Sequence, residues 1–335
     1  MNEMMKKLVV TVLGLFMVLS SFAQDYTFTN HNIVPFSLNP ALIGNANAIR
    51  CGLNYRRQWP TLDNHFNTLR VSYDQNFYKR MCSFAAYYIY DNKGQSDMIT
   101  NEFGLGYGHT MRLAEDLGTE YFLRFGLTAS VFYNKIGSNH TFGDQYWDVT
   151  GQGDGQTSED GVEGASATFV DFGFGAAFVI SNMLTVGASV SHIGQPYSGI
   201  VNDQDEVLYR KYAVHAAYVR DLESANGLWG RTELSDKSLF VNANFQYQEP
   251  FYKTAYLGAG VMISPIIGGL AYKRAIDGGI NTVSFMLGGT YKGLQAYYVY
   301  DLYTSHKGNG SWSHELSFIY IYQRHERYPC PVVYW

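Results

Sequence analysis

Tyr121-Phe122-Leu123-Arg124-Phe125-Gly126-Leu127-Thr128-Ala129-Ser130-Val131 is the stretch on which the fold turns. Successive side chains of an extended chain point to opposite sides. Tyr121, Leu123, Phe125, Leu127, Ala129 and Val131 therefore share one face, and Arg124, Gly126, Thr128 and Ser130 the other. One face is oily and the other small or polar. Leu184, Val186, Ala188 and Val190 repeat the pattern against Thr185, Gly187, Ser189 and Ser191, as do Leu239, Val241, Ala243, Phe245 and Tyr247 against Asn242, Asn244 and Gln246. A soluble sandwich alternates as well, so alternation alone leaves two architectures open.

Length and segment ends favour the membrane. The segments run about ten residues, the span of a tilted transmembrane strand, against about five or six in soluble sheets. Aromatic residues crowd their ends, as in Tyr87, Tyr88 and Tyr90 and in Tyr297, Tyr298 and Tyr300, which predicts girdles at the lipid boundaries. Backbone groups in hydrocarbon must pair internally, so such strands have to close into a barrel. Fourteen segments can be marked, beginning near Ile49, Asn67, Cys82, Thr100, Thr119, Ala167, Leu184, Tyr209, Ser238, Thr254, Ile266, Asn281, Gly293 and Ser313. The even number predicts both termini in the periplasm, with short connections inside (181–183, 265, 291–292) and long ones outside (135–164, 195–208, 302–312). The connection 222–235 is long yet falls inside. Either a strand is miscounted there or that turn reaches toward a partner.

The chain opens with Lys6 and Lys7, an apolar run from Leu8 to Leu19, and small residues at Ser20, Ser21 and Ala23. This predicts a secretory signal cleaved between Ala23 and Gln24, the run being shorter than the roughly 20 residues of a spanning helix. The first cysteine is Cys51, which leaves no thiol for lipid attachment at the cleavage site. The expected plan is a signal peptide at 1–23, a periplasmic N-terminal segment at 24–48, an all-β transmembrane outer-membrane barrel of about 14 antiparallel strands at 49–323, and a periplasmic tail at 324–335.

Composition narrows the chemistry. A net charge of −5 offers no general attraction to nucleic acid. Cys51, Cys82 and Cys330 form an odd set without CxxC spacing, so neither a zinc site nor a disulfide framework is written. Asp144, Asp148, Asp154, Glu159, Asp160 and Glu163 gather in one outer loop near His140, but without the spacing of a calcium loop. Ser313 and His314 are adjacent, yet no third group completes a hydrolytic site. Gly104, Gly106, Gly173 and Gly175 sit inside strands, where glycine permits close packing. No catalytic residue, metal ligand or cofactor is expected.

The N-terminal stretch says more. Asn39, Pro40, Ala41 and Gly44 make a rigid turn before the first strand. Tyr55, Arg56, Arg57, Gln58 and Trp59 follow, with Asn54, Arg56 and Gln58 on one face. Two readings stand: Arg56 faces the lumen and pairs with an acid such as Asp74 on the next strand, or Arg56 and Arg57 lie at the wet rim.

Several pieces, in order over nearly the whole chain past the signal, resemble the PorP/SprF family of outer-membrane proteins. They are Asn39-Pro40-Ala41 with Gly44, Tyr55-Arg56-Arg57-Gln58-Trp59, Ser72-Tyr73-Asp74, His192-Ile193-Gly194-Gln195-Pro196, Arg210-Lys211-Tyr212 leading to His215-Ala216-Ala217-Tyr218, and Ser313-His314-Glu315-Leu316. The resemblance implies a barrel of the type IX secretion and gliding machinery. Its implied partners are outer-membrane lipid, periplasmic ring and motor components, and a cognate secreted adhesin. Partner-contact or structural candidates are Asn39, Pro40, Gly44, Arg56, Gln58, Trp59, Asp74, Gln195, Pro196, His314 and Glu315. The expected role is non-enzymatic, with partners met through 24–48 and the long inner turn. The alternative is a passive porin or apolar-solute channel.

Overall fold

The computed structural model describes residues 26–31, 33–46, 48–61, 65–94, 98–116, 119–137, 164–181, 183–199, 207–222, 237–248, 252–276, 280–304 and 312–322. The predicted signal, the acidic run 138–163, most of the 222–235 connection and the tail 324–335 lie outside them.

Fourteen antiparallel strands close one barrel: β1 (Ile49–Gln58), β2 (Phe66–Phe77), β3 (Cys82–Lys93), β4 (Ile99–Asp116), β5 (Thr119–Lys135), β6 (Ser166–Ile180), β7 (Leu184–Ser191), β8 (Lys211–Asp221), β9 (Lys237–Gln248), β10 (Tyr252–Ile263), β11 (Ile266–Ala275), β12 (Thr282–Tyr291), β13 (Leu294–Tyr303) and β14 (Trp312–Tyr322). Each pairs with its sequence neighbours, and β1 with β14 closes the seam, Arg56 lying opposite Glu315. Every start falls within two residues of the position read from the alternation. β8 pairs directly with β9, so no strand is miscounted around the long 222–236 connection.

The faces follow the period-two pattern. Leu127, Val186, Leu270 and Leu287 are exposed on the outer wall, whereas Arg124, Thr185, Ser189 and Asn242 are buried inside. The tyrosine groups correct one expectation. Neighbouring residues face opposite sides, so Tyr88 and Tyr298 belong to the outer surface while Tyr87 and Tyr297 point inward. Cross-strand pairs Tyr55–Asn67 (2.8 Å), Tyr88–Asn101 (2.7 Å) and Tyr298–His314 (2.6 Å) mark the outer wall near the rim of the long connections.

A second expectation is overturned more completely. The segment before β1 does not hang below the barrel; its described residues, 26–31 and 33–46, lie inside the lumen. A closed wall of this many strands leaves an interior its own side chains do not fill. The segment carries Phe28, Ile33, Val34, Phe36, Leu42 and Ile43, all buried. Each such side chain removed from water contributes about 1.5–3 kcal/mol. Two single-turn 3₁₀ helices, Pro35–Ser37 and Pro40–Leu42, keep the segment compact. Both begin on proline, whose fixed φ suits a first helical position and whose missing N–H costs nothing there.

Candidate functional site

The lumen has two zones, and the N-terminal segment matches both. Toward the short-turn rim, Ala85, Val219, Phe240, Ile267, Tyr297 and Ile319 of the wall enclose Ile33, Val34, Phe36 and Ile43 in one apolar cluster. Toward the loop-rich rim the wall is polar, and the segment answers with Tyr26 and Thr29. The Tyr26 hydroxyl donates to Glu102, which also accepts from Tyr87 at 2.8 Å.

Around Thr29 lies a charged knot. Arg56, 1% exposed, places Nη2 2.7 Å from Asp301 Oδ2 and Nη1 3.1 Å from Glu315 Oε2. The Thr29 hydroxyl donates to Asp301 at 2.6 Å while accepting from Arg56, and the Thr29 amide donates to Glu315 at 2.8 Å. Ser284 and Ser313 donate to the Asp301 carboxylate at 2.6 and 2.9 Å. The knot satisfies charges that would be costly if buried alone. Arg56 does face the lumen, but the proposed Arg56–Asp74 pair is corrected. Arg56 stands opposite Thr68, and Asp74 opposite Arg50, which takes it at 2.7 Å.

The turn at Asn39 is anchored to the far wall. Its Nδ2 donates to the carbonyls of Ala176 on β6 (3.0 Å) and Ala188 on β7 (3.2 Å) and lies 2.9 Å from His215 Nε2 on β8. Its Oδ1 caps the next turn through the Ala41 amide at 2.9 Å. Arg124 donates to the Ile43 carbonyl at 2.6 Å, and Ser189 to that of Leu38 at 2.7 Å. The close approach explains glycine in this wall: a Cβ on Gly126 would overlap the Pro40 carbonyl, and one on Gly175 the Asn39 amide. Gly44 turns the chain at φ +69° and donates its N–H to Asp74 at 3.0 Å before β1 begins.

Of the residues singled out from sequence, Asn39, Pro40, Gly44, Arg56, Asp74 and Glu315 therefore all lie inside the barrel, Arg56 meeting Glu315 and Gly44 meeting Asp74 in separate contacts. Gln58 and Trp59 sit at the loop-rich end of β1, where Gln58 donates to the Tyr303 hydroxyl (3.3 Å) and Trp59 packs edge-on against Phe66. Gln195 and Pro196 lie in the β7–β8 connection, the Gln195 amide turning back onto His192. His314 faces outward beside Tyr298, while Ser313 faces inward, so these neighbours share no site. Thr29, Arg50, Arg124, His215 and Asp301 were not singled out. Inward charge at alternating positions was the available signal, but sequence gives no register to show which of them meet.

Among solved structures, the chain is similar to the outer membrane protein Omp33 of Acinetobacter baumannii, at 7% identity and TM-score 0.45, over 83% of this chain and 100% of that one. Similarity also extends to a mutant porin of Rh. blastica (8% identity, TM-score 0.36, 82% and 99% covered) and to CdiB from Acinetobacter baumannii (8%, 0.39, 82% and 60%). No curated protein matches the sequence. The family model for the type IX secretion system membrane protein PorP/SprF matches residues 20–320. With nearly the whole chain inside that match, including both halves of the charged knot, the chain belongs to the PorP/SprF family of type IX secretion system membrane proteins.

Proposed function

We propose that the protein is a non-enzymatic outer-membrane component of type IX secretion and gliding, supporting export or surface anchoring of adhesins through contacts with periplasmic ring components. The observation that carries the reading is the occupied lumen in a chain of this family. Transport through a porin needs a hydrated, polar-lined path. Here the half of the lumen nearest the short-turn rim holds an apolar cluster of wall and N-terminal segment instead. With 26–46 enclosed, the surfaces left for periplasmic partners are the short-turn rim, the 222–236 connection that leaves it between β8 and β9, and the tail after β14. In this reading a secretory signal ending at Ala23 delivers the chain, the short-turn rim faces the periplasm and the long connections face outward.

Affinity purification from outer membranes tests the reading. Recovery of periplasmic ring proteins or of a large exported adhesin supports it. Steady ion conductance by the purified chain in a planar bilayer, with no such proteins recovered, would replace it with the porin.

A further inference from the structure

We infer that the chain threads its own barrel, so that its processed N-terminal end opens on the loop-rich face while its C-terminal end leaves from the opposite rim. The inference rests on cleavage after Ala23, and on the proposed orientation only for which side of the membrane is which.

The two ends of the described segment are anchored at opposite rims, with Ile33, Val34 and Phe36 already reaching the apolar cluster between them. Tyr26 is held by Glu102, three residues inside the loop-rich end of β4. Thr29 is held by Asp301, two residues from the corresponding end of β13, and by Glu315, three residues from that of β14. Asn39 reaches Ala176 and Ala188, farther down the wall. Gly44 meets Asp74, three residues from the short-turn end of β2. At about 3.3 Å per residue, Glu102, which holds the Tyr26 hydroxyl, lies about 10 Å along a tilted strand from the loop-rich end.

The direction is also written in the chemistry. Tyr26 and Thr29 supply the polar contacts near the start of the segment, and Ile33, Val34, Phe36 and Ile43 supply the apolar cluster farther along. The wall carries the Arg56–Asp301–Glu315 knot toward the loop-rich rim, and toward the other rim an apolar cluster beside the Arg50–Asp74 pair that holds Gly44. Reversed insertion would set Ile43 and Leu42 against Arg56, Asp301 and Glu315, leaving those charges without Thr29 and the aliphatic side chains without their cluster. The chain end then lies on the loop-rich side, and Tyr26 and Thr29 are the anchored residues of the described segment nearest that rim.

Single cysteines test this in full-length protein with Cys51, Cys82 and Cys330 replaced by serine, insertion being verified by heat-modifiable mobility. Gln24→Cys is compared with Thr304→Cys at the loop-rich rim and Gln323→Cys just past β14, using a membrane-impermeant maleimide on intact and permeabilised cells. The expected result is Gln24→Cys labelling on intact cells with Thr304→Cys, several-fold above Gln323→Cys, which reacts only after permeabilisation. Labelling that follows Gln323→Cys, or that needs denaturation, overturns the threading. Should Thr304→Cys and Gln323→Cys exchange behaviour, the membrane orientation is reversed, and the pairing of position 24 with 304 still decides the threading. An intact mass retaining residues 1–23 overturns the premise of a processed end. If the cysteine variant fails to insert, an epitope placed after Gln24 is read by antibody on whole cells: binding supports the threading, and binding only after permeabilisation overturns it.

Discussion

The side-chain amide of Asn39 lies 2.9 Å from Nε2 of His215, joining the turn before the first strand to the eighth strand across the lumen. With the carbonyls of Ala176 and Ala188 and the Ala41 amide, it makes Asn39 the most heavily engaged side chain of that turn.

Asn39→Ala removes these bonds together and strands buried polar partners, each worth about 1–3 kcal/mol when unsatisfied. The expected loss is about 2–4 kcal/mol. Urea titration of the heat-modifiable band in detergent should show a lower midpoint, and Asn39→Asp, which keeps the cap on Ala41 but loses the amide donor, should not restore it.

Gly126→Ala should dislodge the Pro40–Leu42 turn, because the added methyl meets backbone rather than a movable side chain. The expected readout is new protease cleavage within 26–46 of inserted protein, with Gly194→Ala, where nothing lies within 4 Å, as the silent control. Deleting residues 26–43 should raise ion conductance in a planar bilayer above that of the intact chain. A deletion that inserts yet stays electrically silent would argue against the segment as the seal.

Arg56→Ala leaves two buried carboxylates without their cation and should cost about 3–5 kcal/mol. Combining Arg56→Leu with Asp301→Asn and Glu315→Gln should recover part of that loss, because the knot is one coupled unit whose members do not contribute additively. Unfolding midpoints of the single and triple variants check this. Equal losses in both would show that Arg56 acts through packing alone.

Leu287→Arg puts charge on the outer wall, where Leu287 is 63% exposed, and should lower stability in lipid vesicles by about 2–4 kcal/mol if the position lies at mid-bilayer. The same change made in detergent micelles should cost less, since micelles deform around the guanidinium.

Strands such as β5 and β9 were legible because wet and oily surroundings impose a two-residue period that sequence displays directly. The occupied lumen was not. Residues 26–46 have no repeating period, and an irregular stretch between a signal and a first strand looks the same whether it dangles or inserts. Two clues were present: Ile33, Val34, Phe36, Leu42 and Ile43 demanded apolar company, and inward glycines at 126 and 175 left unexplained space. Matching them requires a register that alternation cannot provide. The misassigned partner of Arg56 has the same origin, since sequence placed Arg56 and Asp74 on adjacent strands without revealing that six residues of offset separate Arg56 from Arg50, the true partner of Asp74.

The knot draws Thr29 and Arg56 from the start of the polypeptide and Asp301 and Glu315 from its end. Closure of the cylinder is thereby coupled to capture of the leading stretch: Arg56 and Thr29 meet their acidic partners only when β13 and β14 are in place.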